Sequence, residues 1–383
     1  MTNSEIKSKR AIVCAGGTGG HLFPAHSLAS ELTRRGYEVH LVSDERTERF
    51  AKDFPCVARH SVASATPSGR NPVQILKAIY ALGSGYLAAR RLIRDLKPSV
   101  VIGFGGYPTV PPLLAASTKG YPTLIHEANA VLGRANKFLS SKVRAVALGL
   151  PLSGRALPRS VFTGNPVRDD ALVAAQKPYQ PSRGDDEFRL TVFGGSQGAQ
   201  VFSSVVLKAI GLLPEHFRKR LKVVQQARAD DFYAVQAAYD VMEIPAEVAP
   251  FFDNLVGHIG DSHLVISRSG ASPTAELAVS GRPASLVPYP HALDHDQAAN
   301  AAALVENGGG WVKKQDGFTP EWLAGELSRL MENADLLETT AANAKAQGRA
   351  DVAERLANAA DALANRQKLT QELVDQPSEI LNS

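Results

Sequence analysis

The chain predicts an α/β protein of two doubly wound, Rossmann-like domains with a cleft between them. Two apolar runs, Ala11–Ala15 and Leu190–Phe193, lead straight into glycine-rich turns, Gly16-Gly17-Thr18-Gly19-Gly20-His21 and Gly194-Gly195-Ser196-Gln197-Gly198-Ala199. Each turn opens a helical stretch, and strand–turn–helix brings backbone N–H groups and a helix N-terminus to one point. Phosphate binds there without a dedicated cationic side chain. The third observation is length with alternation: 383 residues suit two cores, and short apolar runs alternate with helical stretches throughout.

The elements follow in order. After His21, Leu22 to Arg35 reads as an amphipathic helix ended by Gly36, with a strand at Glu38–Val42. Val100–Gly103 and Pro122–His126 are apolar runs closed by turn residues, as expected of buried parallel strands, and Val110–Ser117 is a helix with prolines at its start. The crossover between domains falls near Gly164–Val167, before the Pro-, Ser- and charge-rich stretch Pro178–Asp186. This places one domain at residues 8–166 and a second at 167–347. The second repeats the pattern, with strands at Leu190–Phe193, Leu221–Gln225, Leu264–Ser267 and Ala284–Val287 and helices after Gly198, Ser272 and Gln297. Glu321–Leu363 is helical throughout by composition, and residues 365–383 form a polar tail expected to fray.

Composition narrows the function. Lys and Arg number 42 against 38 Asp and Glu, too small an excess to imply nucleic acid, and no basic–aromatic cluster suggests it either. Cys14 and Cys56 make no disulfide framework, no Cys/His spacing suggests zinc, and Cys14 reads as a small buried hydrophobe. The polar N-terminus runs into a five-residue strand, which is neither a signal peptide nor a span, so a cytoplasmic protein is expected.

Several residues carry candidate chemistry. His21 lies on the first helical turn beside a phosphate-sized cavity, where the helix dipole favours the neutral imidazole that accepts a proton. His126 and Glu127 end a strand, the edge at which doubly wound folds place their sites, and either one could be the base or orient it. Arg168 in its extended segment suits a diphosphate, and Ser196 can donate to a phosphate or cap its helix. Ser272-Pro273 reads as a helix opening with Ser272 as N-cap, and Glu276 follows in or just beyond the first turn. Asp294-His295-Asp296 has metal-binding spacing, but the twin turns already serve a leaving diphosphate, so no metal and no cofactor is expected. In the stretch from Ser68 to Pro98, Ile75, Ile79, Leu82, Tyr86, Ala89, Ile93 and Leu96 follow helical spacing toward a core. Its cations Arg70, Lys77, Arg90, Arg91, Arg94 and Lys97 suit an anionic bilayer surface, and Gly83-Ser84-Gly85 is a candidate break.

Six motifs in order, GGTGGHLFP (Gly16–Pro24), GFGGYP (Gly103–Pro108), HEAN (His126–Asn129), GNPVR (Gly164–Arg168), GGSQGA (Gly194–Ala199) and RSGASPTAE (Arg268–Glu276), resemble the MurG family. That family comprises the N-acetylglucosaminyltransferases of peptidoglycan synthesis. The resemblance runs from about Ala11 to Val312 and implies GT-B architecture, with a C-terminal helix near residues 348–364 packing back on the first domain. It implies an inverting transfer of N-acetylglucosamine from UDP-N-acetylglucosamine to the C4 hydroxyl of an undecaprenyl-diphosphate-linked N-acetylmuramyl-pentapeptide. As implied contacts it gives Thr18, Gly19, Gly20, Asn129, Arg168, Ser196, Phe252, Ala271, Ser272, Pro273, Thr274, Ala275, Glu276 (for the ribose hydroxyls) and Gln297. His21, Glu127 and His126 remain the candidate bases. The chain departs from the family at Ala128, where Gln is usual, and at Asp296, where His is. A peripheral enzyme on the cytoplasmic face of the bacterial inner membrane is expected, with other cell-wall synthesis proteins as partners. Another GT-B transferase, a UDP-sugar epimerase and a non-catalytic UDP-sugar-binding scaffold are the alternatives.

Overall fold

The computed structural model describes residues 9–16, 19–44, 53–65, 72–154, 156–195, 199–292 and 296–377. The chain divides into two compact units, residues 1–168 with 351–383, and residues 169–350.

The first unit is built on β1 (Arg10–Cys14), α1 (Gly19–Arg34), β2 (Glu38–Ser43), β3 (Ala58–Ser61), α2 (Pro72–Leu96), β4 (Val100–Gly103), α3 (Val110–Thr118), β5 (Thr123–Glu127), α4 (Arg134–Leu139), β6 (Ala145–Leu148) and β7 (Ser160–Phe162). Its strands form a parallel sheet in the order β3-β2-β1-β4-β5-β6-β7. Burial on both faces explains why β1 and β4 read as unbroken apolar runs. Cys14 is fully buried in β1, and burial pushes its thiol far up. α1 buries Leu22, Ala25, Leu28, Ala29 and Leu32 on one stripe. It stops at Gly36, whose φ of 81° closes the turn while Tyr37 N donates to Leu32 O.

The second unit holds α5 (Asp169–Ala174), β8 (Phe188–Phe193), α6 (Gln200–Leu212), α7 (Glu215–Arg218), β9 (Leu221–Gln226), α8 (Phe232–Val241), β10 (Ala246–Ala249), α9 (Leu255–Asp261), β11 (Leu264–Ser267), α10 (Ala271–Ser280), β12 (Ala284–Leu286), α11 (Asp296–Val305), β13 (Gly310–Val312), α12 (Pro320–Glu332) and α13 (Ala334–Gln347). Its strands are again parallel, in the order β10-β9-β8-β11-β12-β13. In both units the strand order reverses beside the first strand, between β1 and β4 and between β8 and β11. Doubly wound sheets open a crevice at that place, at the carboxyl ends of the strands.

The chain then returns to the first unit as α14 (Val352–Ala364) and α15 (Gln371–Asp375). Arg355, buried, donates to Thr163 O (3.0 Å) and Phe162 O (2.8 Å) at the end of β7, and Gln371 exchanges hydrogen bonds with the Phe162 backbone. Asp361 on α14 accepts from Arg35 (2.7 Å) and from the Tyr37 hydroxyl (2.5 Å).

Four expectations need correction. The region Glu321–Leu363 is three helices, because Asn333 and the Gly348–Asp351 turn interrupt it. Over its described part the tail does not fray: Val374 is buried, and Asn358 donates to Val374 O and Gln376 O. Gly83-Ser84-Gly85 does not break α2. A Cβ at Gly85 would sit 2.0 Å from Ala63 O, so the glycine lets the helix pass another backbone. Ile75 and Ile79 are exposed, and among the large apolar residues expected to face the core only Ile93 is fully buried, with Ala78 and Ala89 the small residues that join it.

Candidate active site

The sequence motifs gather at the two crevices. In the first unit, the turns after β1 and β4 press together. A Cβ at Gly16 would come within 2.4 Å of Pro108 Cγ, so only glycine allows this approach. Gly105 and Gly106 take positive φ (90° and 77°), and a Cβ on Gly105 would stand 3.2 Å from His21 Nε2. His21 is the third residue of α1, on its first turn. Its Nδ1 lies 3.0 Å from Gly16 O; Nδ1 therefore carries the proton and donates, leaving Nε2 as the acceptor nitrogen. Burial lowers the His21 pKa, while the Gly16 carbonyl and the Glu127 carboxylate pull it back up.

β5 ends beside it. His126 is buried, its Nε2 donates to Gly164 O (3.1 Å), and burial pushes its pKa down to about 4. Glu127 is buried too, and its carboxylate accepts from Asn129 N, Asn129 Nδ2, Gly133 N and Asn136 Nδ2 at 2.9–3.2 Å. His21, His126, Glu127 and Asn129 are thus brought together with Gly19 and Gly20, the first residues of α1. The Arg168 guanidinium lies 5.6 Å from the ring centre of Phe23, two residues past His21 on α1. Thr18 and Ser196, with Asp294 and His295, lie outside the described residues.

In the second unit, the turn after β8 is anchored by Gln226, which accepts from Gly194 N (3.0 Å) and donates to Pro250 O (3.1 Å). α10 starts after β11 at Ala271, with Gly270 in extended conformation as N-cap and no side-chain cap. Ser272 is therefore not the N-cap. Pro273 is the third helical residue, where no intrahelical N–H bond is required. Thr274 turns its hydroxyl back to Gly270 O (2.8 Å), Ala275 is half-buried, and Glu276 is buried one turn further in. Gln297 near the start of α11 accepts from Tyr289 N (2.9 Å), and its carbonyl accepts from Ser269 Oγ (2.8 Å). Asp296 accepts from the Gln297 N–H, an ordinary first-turn contact. Phe252 is buried edge-on to His258.

The sequence reading missed Arg268. It is buried, donates to Val287 O, Pro288 O and Gln315 Oε1 (2.6 Å), and its guanidinium lies 5.2 Å and 5.3 Å from the ring centres of Phe202 and Tyr289. Nothing local in the sequence announces those partners. Asn136, which ties Glu127 to the His126 carbonyl, was also missed, although it lies only nine residues from Glu127.

Two doubly wound units, each with glycines and a helix N-terminus beside its strand-order reversal, suit the binding of phosphate-bearing ligands. Residues 11–148 match the glycosyltransferase family 28 N-terminal domain, and residues 189–356 match its C-terminal domain. The chain belongs to glycosyltransferase family 28 and, within it, to the MurG family. It is 54% identical over 356 residues to the UDP-N-acetylglucosamine--N-acetylmuramyl-(pentapeptide) pyrophosphoryl-undecaprenol N-acetylglucosamine transferase of Brucella abortus (strain S19), covering 92% of this chain and 94% of that one. The same-named protein of Brucella suis biovar 1 (strain 1330) is 54% identical over 354 residues, 92% and 93% of the two chains. The crystal structure of Acinetobacter baumannii MurG matches with a TM-score of 0.77 at 28% identity, over 93% of this chain and 99% of that one. A UDP-N-acetylglucosamine 2-epimerase structure matches at a TM-score of 0.62 and 13% identity, over 95% of this chain and 99% of that one, a likeness of fold alone.

Proposed function

We propose that the chain moves N-acetylglucosamine from UDP-N-acetylglucosamine to the C4 hydroxyl of undecaprenyl-diphosphate-linked N-acetylmuramyl-pentapeptide, with inversion at the anomeric carbon. The observation that carries this is 54% identity across 92% of the chain to relatives named for that transfer. Deprotonation is assigned to His21 Nε2, the acceptor nitrogen once Nδ1 donates to Gly16 O. His126 is buried with its Nε2 proton on Gly164 O, and the Glu127 oxygens accept from their own loop. A neutral imidazole with an acceptor nitrogen can take the proton of a sugar hydroxyl. The departing diphosphate is received by the α10 N-terminus, which has no side-chain cap, and by the turn at Gly194, with Arg168 and Ser196 adding donors. Glu276 accepts from the ribose hydroxyls, and Asn129 and Gln297 contact the donor sugar.

A lipid-linked acceptor supports a peripheral enzyme on the cytoplasmic face of the inner membrane. No helix among the described residues is long and apolar enough to cross a bilayer. α2 supplies a peripheral surface: Leu76, Ile79, Tyr80 and Leu87 are exposed, and Arg90, Arg91, Arg94 and Lys119 line a groove of about 390 Å³ beside Leu87 and Tyr121.

The test is UDP release from UDP-N-acetylglucosamine with and without the lipid-linked muramyl-pentapeptide. Release that requires the acceptor and yields the disaccharide lipid supports the proposal. Conversion of the donor alone points to an epimerase, and binding without turnover to a scaffold.

A further inference from the structure

We infer that Glu127 is a positioning residue: it fixes the 128–133 loop beside His21 and directs a negative charge at that imidazole, and it takes no proton from substrate. The inference rests on His21 as base. Oε1 accepts from Asn129 N (3.1 Å) and Asn129 Nδ2 (3.2 Å), and Oε2 accepts from Gly133 N (3.0 Å) and Asn136 Nδ2 (2.9 Å). A carboxylate offers about four lone-pair sites, so this set fills them. A base needs one open. An amide cannot replace the carboxylate, because its single oxygen accepts from one donor pair while its NH2 faces the other.

The same loop is held from outside by Asn165 Nδ2 on Ala128 O (2.8 Å) and by Ser153 N and Oγ on Ala130 O (2.8 and 3.0 Å). Its backbone is therefore gripped at 128, 129, 130 and 133, and Glu127 supplies the negative charge in the grip. Around His21, β5 presents Glu127 and His126, the β1 turn presents the Gly16 carbonyl, and the β4 turn presents Gly105 and Gly106. His126 is neutral at physiological pH, held so by burial. The Glu127 charge raises the His21 pKa against the burial that lowers it, and Asn136 Nδ2, 2.9 Å from Glu127 Oε2, meets the same face of Gly105 as His21 Nε2.

The experiment uses the full-length protein in two arms. In the first, NMR follows the His21 imidazole titration without substrate in wild type, Glu127→Gln and Glu127→Asp. The pKa should fall in Glu127→Gln and fall less in Glu127→Asp, which keeps the charge. In the second, kinetics with the lipid-linked acceptor should show acceptor KM raised roughly tenfold or more in Glu127→Gln at unchanged UDP affinity. The acid limb of its pH profile should move to lower pH. Asn136→Ala, which keeps the carboxylate and removes one donor, should also raise acceptor KM. An unmoved His21 titration in folded Glu127→Gln overturns the electrostatic role. If Glu127→Gln fails to fold, Glu127→Asp and Asn136→Ala decide the same two points. A kcat abolished at every pH by Glu127→Gln but untouched by Asn136→Ala makes Glu127 the base and overturns the inference. The NMR arm needs no turnover, so an inactive wild type with an intact shift would instead fault the transferase reading.

Discussion

The two crevices solve one loop problem with opposite charges. Beside β5 a buried carboxylate, Glu127, collects the N–H groups of Asn129 and Gly133. Beside β11 a buried guanidinium, Arg268, collects the carbonyls of Val287 and Pro288. The first arrangement consumes backbone donors and leaves an imidazole as the reactive group. The second consumes backbone acceptors and leaves the α10 N-terminus uncapped by any side chain, open to an anion. The sign of the buried charge therefore matches what each crevice is proposed to bind: a neutral hydroxyl nucleophile in one, a diphosphate in the other.

The largest test of this contrast is at His21. His21→Ala should lower kcat by roughly 10²–10⁴ at nearly constant UDP affinity. A near-normal kcat would leave the first crevice without its reactive group and break the comparison.

Acid stability reads the first crevice next. His126 is neutral in the folded chain, with its pKa at about 4 against the ordinary 6.5. The unfolded chain therefore binds more protons as pH falls from about 6.5 to about 4, and stability is lost across that window. The contribution is about 3 kcal/mol. It should flatten in His126→Gln when urea midpoints are compared at pH 7 and pH 4.5. An equally steep loss in the variant would remove His126 as the cause.

Arg268→Lys should sharpen the opposite side. A lysine cannot hold Val287 O, Pro288 O and Gln315 Oε1 with a planar fork, and a buried acceptor left without its donor costs about 1–3 kcal/mol. Calorimetry should show weaker UDP binding together with a lower Tm; unchanged UDP affinity would separate Arg268 from the diphosphate end. Glu276→Ala should cost roughly 1.5–3 kcal/mol of UDP affinity with the fold intact. Unaltered binding would remove it from the ribose. The smallest single effects belong to α2, where neutralising Arg90, Arg91 or Arg94 should weaken binding to anionic vesicles by about 1 kcal/mol each. High salt should mimic the loss, and binding indifferent to both would move the membrane contact elsewhere.

The buried strands were legible because burial on both faces leaves only apolar residues to choose from, as in Val100–Gly103 and Leu264–Ser267. β3, with its half-exposed Ala-Arg-His-Ser, and the three-residue β7 and β13 carry too little pattern to be read. The face of α2 was misread because Ile75 and Ile79 share the spacing of Ile93 but have no partner layer. At the candidate site, glycine turns and His21 announced themselves by motif. Glu127 was legible as a site residue but not in its role, which is set by where Asn129, Gly133 and Asn136 turn their donors. Arg268 was invisible because its partners lie 19, 20 and 47 positions downstream.

The return of α14 and α15 has a consequence for synthesis. The half begun first holds β7 through Arg355 and Arg35, at the end of α1, through Asp361, both made after the whole second unit. The second unit, continuous in sequence, has all its residues available while the first still lacks a helix. The domain begun first is thus the one completed last. A chain ending at residue 350 would hold every residue of the second unit but an N-terminal unit with part of its core still open to water.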